Sequence, residues 1–197
     1  MGDLAERRGV ETTVYEPAED SRLLAKAARD VVGPADRVLE VGTGSGFVAD
    51  RLAEKTGCRI LGSDVNPEAC HRARERGVSV VRANLVEPFR PESFDVIVFN
   101  PPYLPEVEEA ARDDWMERAL TAGETGRAVI DPFLETVSCV IAPAGVVLLV
   151  ASTLTDLSAV RETARSNGFV VETVREESFP FERLEVLKLT PEKLMTE

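Results

Sequence analysis

Apolar and polar positions follow two alternating periodicities along the chain, and the alternation predicts a layered fold. Short apolar runs typical of buried strands fall near residues 37–41, 59–63, 78–82, 94–99 and 145–151. Stretches with the spacing of amphipathic helices occur at 19–32, 46–56, 67–76, 127–141 and 156–167. Strands that alternate with helices predict an α/β protein, in which a doubly wound, mostly parallel sheet carries helices on both faces.

The two ends of the chain depart from this alternation. The apolar runs 169–175 and 183–189 have no helical stretch between them, so they predict an antiparallel last strand pair and bring the sheet to seven strands. Residues 1–13 are polar and predict a mobile tail, and we expect residues 14–197 to fold as a single domain.

A polar and acidic stretch at 105–126 follows the fourth predicted strand. Two interpretations are open: a lid or substrate loop over a site, or a solvated acidic helix at 107–119 that is docked by its few apolar side chains. The pattern does not choose between them.

The charge balance narrows the possible partners. Acidic residues outnumber basic ones 35 to 23, which gives a net charge of −12, and only four of the basic residues are lysine. Such a composition suits a cytoplasm of high salt, so we expect a halophilic archaeal source; an acidic protein from a moderate environment is the alternative. The excess of acid also argues against tight binding of nucleic acid, whose phosphates must be neutralised by Lys and Arg.

Membrane and metal signals are missing from the sequence pattern. No apolar stretch is long enough to cross a bilayer, and the polar start does not resemble a signal peptide, so we expect a cytoplasmic protein with no membrane partner. Cys58, Cys70 and Cys139 lack metal-binding spacing and are interpreted as reduced thiols. His71 is the only histidine, so we expect neither a metal site nor a histidine-based triad.

The tetrapeptide Asn100-Pro101-Pro102-Tyr103 is the most informative motif. It follows an apolar run directly, and neither proline has an N–H to continue a strand ladder, so the strand must end there. Open α/β sheets bind ligands at the carboxyl ends of their strands. The Asn100 side-chain oxygen and the Pro101 carbonyl can accept two N–H bonds from an amide or amine, and Tyr103 can stack on its plane. A plain Asn-Pro turn is the alternative.

A glycine-rich turn follows the first predicted strand, in the sequence Glu40-Val41-Gly42-Thr43-Gly44-Ser45-Gly46. Glycines allow a tight turn and a close approach of the backbone to a ligand. The second strand ends in Asp64, about where a ribose-binding carboxylate lies in a nucleotide-binding βαβ unit. The alternative for Asp64 is a cap or turn residue for the helix after Pro67.

Together these motifs resemble the class I S-adenosylmethionine-dependent methyltransferases. The Asn-Pro-Pro-Tyr element resembles their amino- and amide-methylating branch. Segment 15–21, Tyr-Glu-Pro-Ala-Glu-Asp-Ser, is similar to the start of the HemK-related glutamine methyltransferases of class 1 release factors, in their archaeal and eukaryotic form. The similarity extends from about residue 14 to residue 190, and it implies S-adenosylmethionine as the cofactor.

The resemblance implies roles for individual residues. Glu40 and Gly42 would line the methionine side of the cofactor, Asp64 would bind the ribose hydroxyls, and Asn84, which stands where the family commonly has Asp, would flank the adenine. The full set of implied cofactor-binding residues is Tyr15, Ser21, Glu40, Gly42, Gly44, Asp64, Asn84, Leu85 and Asn100. The substrate-binding residues are Asn100, Pro101, Pro102 and Tyr103, of which Asn100, Pro101 and Tyr103 are catalytic. Segment 122–127 resembles a substrate loop.

The resemblance also implies two protein partners. The substrate would be a class 1 release factor, methylated on the glutamine of its Gly-Gly-Gln motif. The third strand would lie at a sheet edge, where apolar Val78, Val80 and Val81 are an aggregation liability unless another chain adds a strand. The implied partner there is the small zinc-binding activator protein of translation-related methyltransferases, in a heterodimer. An edge too short to matter, or one covered by the helix end at 72–77, is the alternative.

Three other functions remain open. An N6-adenine methyltransferase would use the same kind of turn, because adenine N6 is also a planar amine, although the chain has no basic patch. A protein lysine N-methyltransferase is the second enzyme alternative, and a scaffold subunit that retains the fold is the non-enzyme one. Intact Asn100, Asp64 and turn glycines argue against a silent site.

Overall fold

The computed structural model describes Val14 and residues 17–103 and 125–192. Its strands are β1 (Arg37–Val41), β2 (Arg59–Asp64), β3 (Ser79–Arg82), β4 (Phe94–Phe99), β5 (Ile141–Ser152), β6 (Phe169–Ser178) and β7 (Arg183–Pro191). The α-helices within these residues are α1 (Glu19–Arg29), α2 (Phe47–Thr56), α3 (Pro67–Glu75), α4 (Ile130–Thr136) and α5 (Leu157–Ser166). The tail predicted at 1–13 and most of the stretch at 105–126 lie outside the described residues.

The seven strands form one sheet in the order β3-β2-β1-β4-β5-β7-β6. The first five strands in this order pair in parallel, whereas β7 is antiparallel to both β5 and β6. This arrangement confirms the predicted doubly wound sheet with an antiparallel last pair. It also confirms that the third strand lies at an edge.

Both faces of the central strands are buried, which explains why these strands appear as unbroken apolar runs. Because side chains alternate along a strand, Ile97 and Phe99 of β4 pack into the cluster that contains α4 and α5 residues. Val96 and Val98 of the same strand pack into the opposite cluster with α1 and α2 residues. Among the described helices, none is long and apolar enough to cross a membrane.

The structure shortens one predicted helix and lengthens one predicted strand. The helix expected at 127–141 is only α4, followed by a 3-10 turn at Val137–Cys139, and β5 begins at Ile141 rather than at 145. Ile141 is buried and pairs with Phe94, after which the register shifts before Val96. The intervening Ala-Pro-Ala-Gly sequence resembles a turn, so sequence reasoning does not predict the irregular first part of β5.

The two edge strands differ. Strand β3 has four residues and exposes Val81 by 37%. Strand β6 has ten residues, a register shift between Thr173 and Arg175, and an exposed face that includes several glutamates. Bulges and charges protect an edge from pairing with other chains, so β6 is protected; β3 has no bulge, although Arg74 from α3 donates to its Val80 carbonyl at 3.2 Å.

Candidate active site

The predicted site residues cluster where the parallel strands end. Glu40 lies in β1, Asp64 ends β2, and Asn100 directly follows β4. Because these three strands are parallel and adjacent, their carboxyl ends share one edge of the sheet.

The glycine-rich turn lies against the end of β2. Gly44 has a φ of 54°, and its N–H donates to Asp64 Oδ2 at 2.9 Å. A Cβ at Gly44 would meet nothing within 4 Å, so the outer side of the turn is open to a ligand. Gly46 begins α2 with a φ of 76°, and a Cβ there would lie 3.1 Å from the Ala73 Cα, a space that only glycine fits.

The Glu40 carboxyl holds the turn from inside. It is buried, and its Oε2 accepts hydrogen bonds from Thr43 Oγ1 at 2.6 Å and from the Ala49 N–H at 3.0 Å. Burial raises the pKa of Glu40 to about 8, against the opposing effect of these two bonds. Sequence reasoning missed Thr43; its position three residues after a strand-end acid is the signal that could have identified it.

Asp64 links β2 to both neighbouring loops. Its Oδ2 accepts the Gly44 N–H and its Oδ1 accepts the Asn66 N–H, each at 2.9 Å. Burial raises the pKa of Asp64, although both N–H bonds oppose the shift. Asn66 caps α3 by accepting from the Glu68 N–H at 2.9 Å, so the helix cap is not Asp64. The backbone N–H of Val65 also bonds this carboxyl, and since a carboxylate has about four acceptor positions, it keeps capacity for a ligand hydroxyl group.

The segment after β3 approaches the same edge. The Ala83 N–H donates to the Asp64 carbonyl at 3.0 Å. Asn84 is exposed, and its amide donates to Glu87 Oε1 at 2.6 Å. Leu85 packs against the core cluster that contains α4 and α5 residues, and its φ of 47° is a left-handed conformation that leucine rarely adopts.

The Asn-Pro-Pro-Tyr turn contains an unpaired polar atom. Asn100 Oδ1 is buried and accepts no hydrogen bond from the described residues, while its amide nitrogen donates to Ser21 Oγ at 3.4 Å. Leaving a buried acceptor unpaired costs about 1–3 kcal/mol, so native structures rarely retain one without a reason. An N–H group from a ligand would supply the missing donor.

Asp20 connects the first turn of α1 to this turn. Its buried carboxylate accepts the Tyr103 hydroxyl at Oδ2, at 3.0 Å, and the Ser21 N–H at Oδ1, at 2.6 Å. The Tyr103 ring is buried in the core cluster that contains α1 and α2 residues. Sequence reasoning named Ser21 and Tyr103 but missed Asp20, which lies beside Ser21 in the 15–21 motif. The stacking role of Tyr103 stays a prediction.

The structure therefore brings the predicted residues together in two groups. The first, around the ends of β1, β2 and β3, contains Glu40, Gly42, Gly44, Asp64, Asn84 and Leu85. The second, around the end of β4, contains Ser21, Asn100, Pro101, Pro102 and Tyr103. Tyr15 lies outside the described residues.

Comparisons with known proteins agree with this arrangement. A family model for a methyltransferase domain matches residues 38–123. A putative protein N5-glutamine methyltransferase of Methanocaldococcus jannaschii is 37% identical over 180 residues, which cover 88% of this chain and 90% of that protein. Human methyltransferase HEMK2 is 32% identical, over 93% of this chain and 92% of its own length.

A solved structure extends the likeness to three dimensions. The Mtq2 subunit of the E. cuniculi Mtq2–Trm112 complex, which is responsible for methylation of the translation termination factor eRF1, superimposes with a TM-score of 0.76. It is 28% identical to this chain, and the match covers 91% of this chain and 99% of that one.

The fold and the site define a class I S-adenosylmethionine-dependent methyltransferase. The chain belongs to the HemK-related family of these enzymes, together with the relatives from M. jannaschii and human. Its residues fit the cofactor, because the turn is open above Gly44 and the Asp64 carboxylate beside it keeps acceptor capacity for a hydroxyl group.

Proposed function

We propose that this enzyme methylates the side-chain amide nitrogen of the glutamine in the Gly-Gly-Gln motif of a class 1 translation release factor. The observation that carries the proposal is the buried Asn100 Oδ1, which lacks a donor among the described residues. A glutamine amide offers two N–H donors in one plane. The named activities of the relatives, protein N5-glutamine methylation and eRF1 methylation, support the same acceptor.

The residues of this turn would activate a poor nucleophile. An amide lone pair is delocalised, so the nitrogen must become more pyramidal to react. Asn100 Oδ1 and the Pro101 carbonyl would accept its two N–H groups, and these bonds strengthen as positive charge develops on the nitrogen. The bound cofactor supplies an activated methyl group. The chain contributes mainly position, with the turn fixed by its two prolines and by the Tyr103–Asp20 hydrogen bond.

The cofactor would occupy the first group of residues. We assign the ribose hydroxyls to Asp64, the methionine side to Glu40, Gly42 and Gly44, and the adenine to the Asn84–Leu85 segment. The Gly44 N–H donates to the Asp64 carboxylate and the Ala83 N–H donates to the Asp64 carbonyl, which supports this assignment because both segments meet at the end of β2. Tyr15 and Ser21 would cover the cofactor from the N-terminal side.

Mass spectrometry of the acceptor tests the function. The enzyme, the candidate activator, S-adenosylmethionine and an archaeal release factor should yield one added methyl group on the glutamine of the Gly-Gly-Gln motif. A release factor with that glutamine changed to alanine should gain none. Methyl transfer to lysine in the same protein, or to adenine in a supplied duplex, would contradict the proposal in favour of one of the two alternative enzymes.

We also propose that a small zinc-binding activator adds to the β3 edge. The exposed Val81 and the absence of a bulge in this four-residue strand support an edge that can pair with another chain, as does the partnership of the related Mtq2 with Trm112. Any zinc would belong to that partner.

The partner surface has a matched control on the opposite edge. Val81→Glu should abolish co-purification with the activator, whereas Val170→Glu should not, since Val170 is a 46% exposed valine on β6. Val80 packs inward against α2 and α3 residues, so a charge at Val81 is the cleaner test. Equal loss of the complex in both variants would contradict a β3 interface.

The acidic, lysine-poor composition supports a halophilic archaeal cytoplasm as the working environment. The single seven-stranded sheet supports our proposal that residues 14–197 form one domain. Cofactor binding should then persist in molar salt. Loss of binding as salt is raised would contradict the assignment.

A further inference from the structure

A second buried oxygen lacks a hydrogen-bond donor. Among the described residues, the buried side-chain atoms without a partner are Asn100 Oδ1 and Asp131 Oδ1. The other oxygen of Asp131, Oδ2, lies 3.5 Å from Arg127 Nε. A carboxylate oxygen removed from water without a donor is unfavourable, more so than a neutral amide oxygen. The proposed function gives Asp131 no role.

Both unpaired oxygens belong to the same end of the sheet. Arg127 Nη1 donates to the Thr155 carbonyl at 3.2 Å, just beyond the end of β5. A Cβ at Gly126 would lie 2.7 Å from the Tyr103 carbonyl oxygen and 3.1 Å from Thr155 Cγ2. Segment 126–127 therefore contacts the Asn-Pro-Pro-Tyr turn. Tyr103 is three residues beyond Asn100, which is at most about 11 Å of extended chain.

Arg127 and Asp131 present complementary groups to this edge. The guanidinium has five N–H groups, and its position is fixed by the bond to Thr155. The Arg127 side chain is 21% exposed and that of Asp131 is 37% exposed, so a ligand can approach the pair, and rotation of the carboxylate about its Cβ–Cγ bond would bring the buried Oδ1 to it. Because the two opposite charges offset each other, the pair favours a dipolar group over a lysine or arginine side chain.

We propose that Arg127 and Asp131 form a subsite for the main chain of the acceptor protein, next to the residue that is methylated. Asp131 Oδ1 accepts a peptide N–H, and the Arg127 guanidinium donates to a peptide carbonyl. This inference rests on the proposed function, since it takes the acceptor to be a polypeptide. It extends recognition from the glutamine amide to the backbone that carries it.

Steady-state kinetics on the release factor, with the enzyme in its active form, test the subsite. Asp131→Ala should raise the KM for the release factor by at least about tenfold, the loss expected for one hydrogen bond to a charged group. Cofactor affinity should not change. The melting temperature should change little, because the loss of a partly exposed ion pair with Arg127 is offset by the removal of an unpaired buried oxygen. Asp131→Asn keeps an acceptor oxygen and should recover part of the affinity.

Glu135→Ala is the matched control, because Glu135 is an exposed acid one turn later on the same helix. It removes the same charge without touching the subsite, so its KM should equal that of the wild type. An Asp131→Ala enzyme that matches this control would overturn the subsite and leave the proposed function intact. A KM increase that appears only together with a lower melting temperature would also overturn it. A wild-type enzyme inactive on the release factor would overturn the proposed function and the subsite with it.

Discussion

The cofactor half and the acceptor half of the carboxyl edge differ in how completely their polar groups are paired. Around β1 and β2, Glu40 Oε2 accepts two hydrogen bonds, and both oxygens of Asp64 accept backbone N–H groups. Around β4 and α4, Asn100 Oδ1 and Asp131 Oδ1 accept none from the described residues. The first half is held together by its own hydrogen bonds, whereas in the second half two buried oxygens have no donor among the described residues, and a bound methyl acceptor would supply donors.

This difference means that the cofactor half positions the cofactor, whereas the acceptor half selects the molecule that is methylated. A cofactor half that is already bonded internally can bind without reorganising, so its cost in conformational entropy is small. An acceptor half with unpaired oxygens rejects molecules that cannot donate to them, because such molecules leave the buried groups unsatisfied. Interactions that strengthen as charge develops on the acceptor nitrogen also raise the rate rather than only the affinity.

Asn100→Ala should give the largest effect and should confine it to the acceptor half. Loss of one preorganised contact at the reacting centre costs on the order of 100-fold or more in turnover. Cofactor affinity, measured by calorimetry, should stay close to that of the wild type, since no assigned cofactor contact depends mainly on Asn100. Near-normal turnover on the true acceptor would contradict the amide-binding mechanism.

Asp64→Ala should instead act on the cofactor half, by weakening the binding of the cofactor. It removes the two proposed ribose bonds. Bonds to a charged group contribute about 1.5–3 kcal/mol each, and because two bonds to one carboxylate do not add in full, cofactor binding should weaken by roughly 2–4 kcal/mol. It also frees the Gly44 N–H and loosens the turn. Asp64→Asn keeps one acceptor oxygen and should lose less. Calorimetry that finds the wild-type affinity in Asp64→Ala would rule out the ribose assignment.

The sequence predicts the strand-end residues of both halves of the edge, but not the residues that pair with them. Strand-end residues such as Glu40, Asp64 and Asn100 stand out because a long apolar run stops at a polar side chain, and the resemblance adds the strand order. The partners of these residues do not stand out. Asp20 meets Tyr103 only through tertiary packing, although it lies in the 15–21 motif. No local pattern distinguishes Asp131 from an ordinary helix acid.

Glu40 makes the cofactor half sensitive to pH. Burial raises its pKa from the usual 4.5 to about 8, so between these values the folded carboxyl keeps a proton that the unfolded chain has released. Its stabilising contribution is therefore complete below pH 4.5 and is lost as the pH rises to about 8. The free energy of unfolding should fall by up to about 1.4 kcal/mol per pH unit relative to Glu40→Gln. Parallel urea-unfolding stabilities of the two proteins across this range, at fixed salt, would contradict the shift.

Tyr103→Phe should have the smallest effect and should show how firmly the acceptor turn depends on α1. The change keeps the buried ring and removes the hydroxyl that donates to Asp20 Oδ2 at 3.0 Å. Stability should fall by about 1–2 kcal/mol, since a buried carboxylate loses a donor, and turnover should fall only a few-fold because Asn100 and Pro101 remain. A double-mutant cycle with Asp20→Ala separates this bond from general packing, and we expect a coupling energy of about 1 kcal/mol. Additive effects of the two substitutions would mean that the Tyr103–Asp20 hydrogen bond does not hold the acceptor turn, and that the buried ring does so by packing.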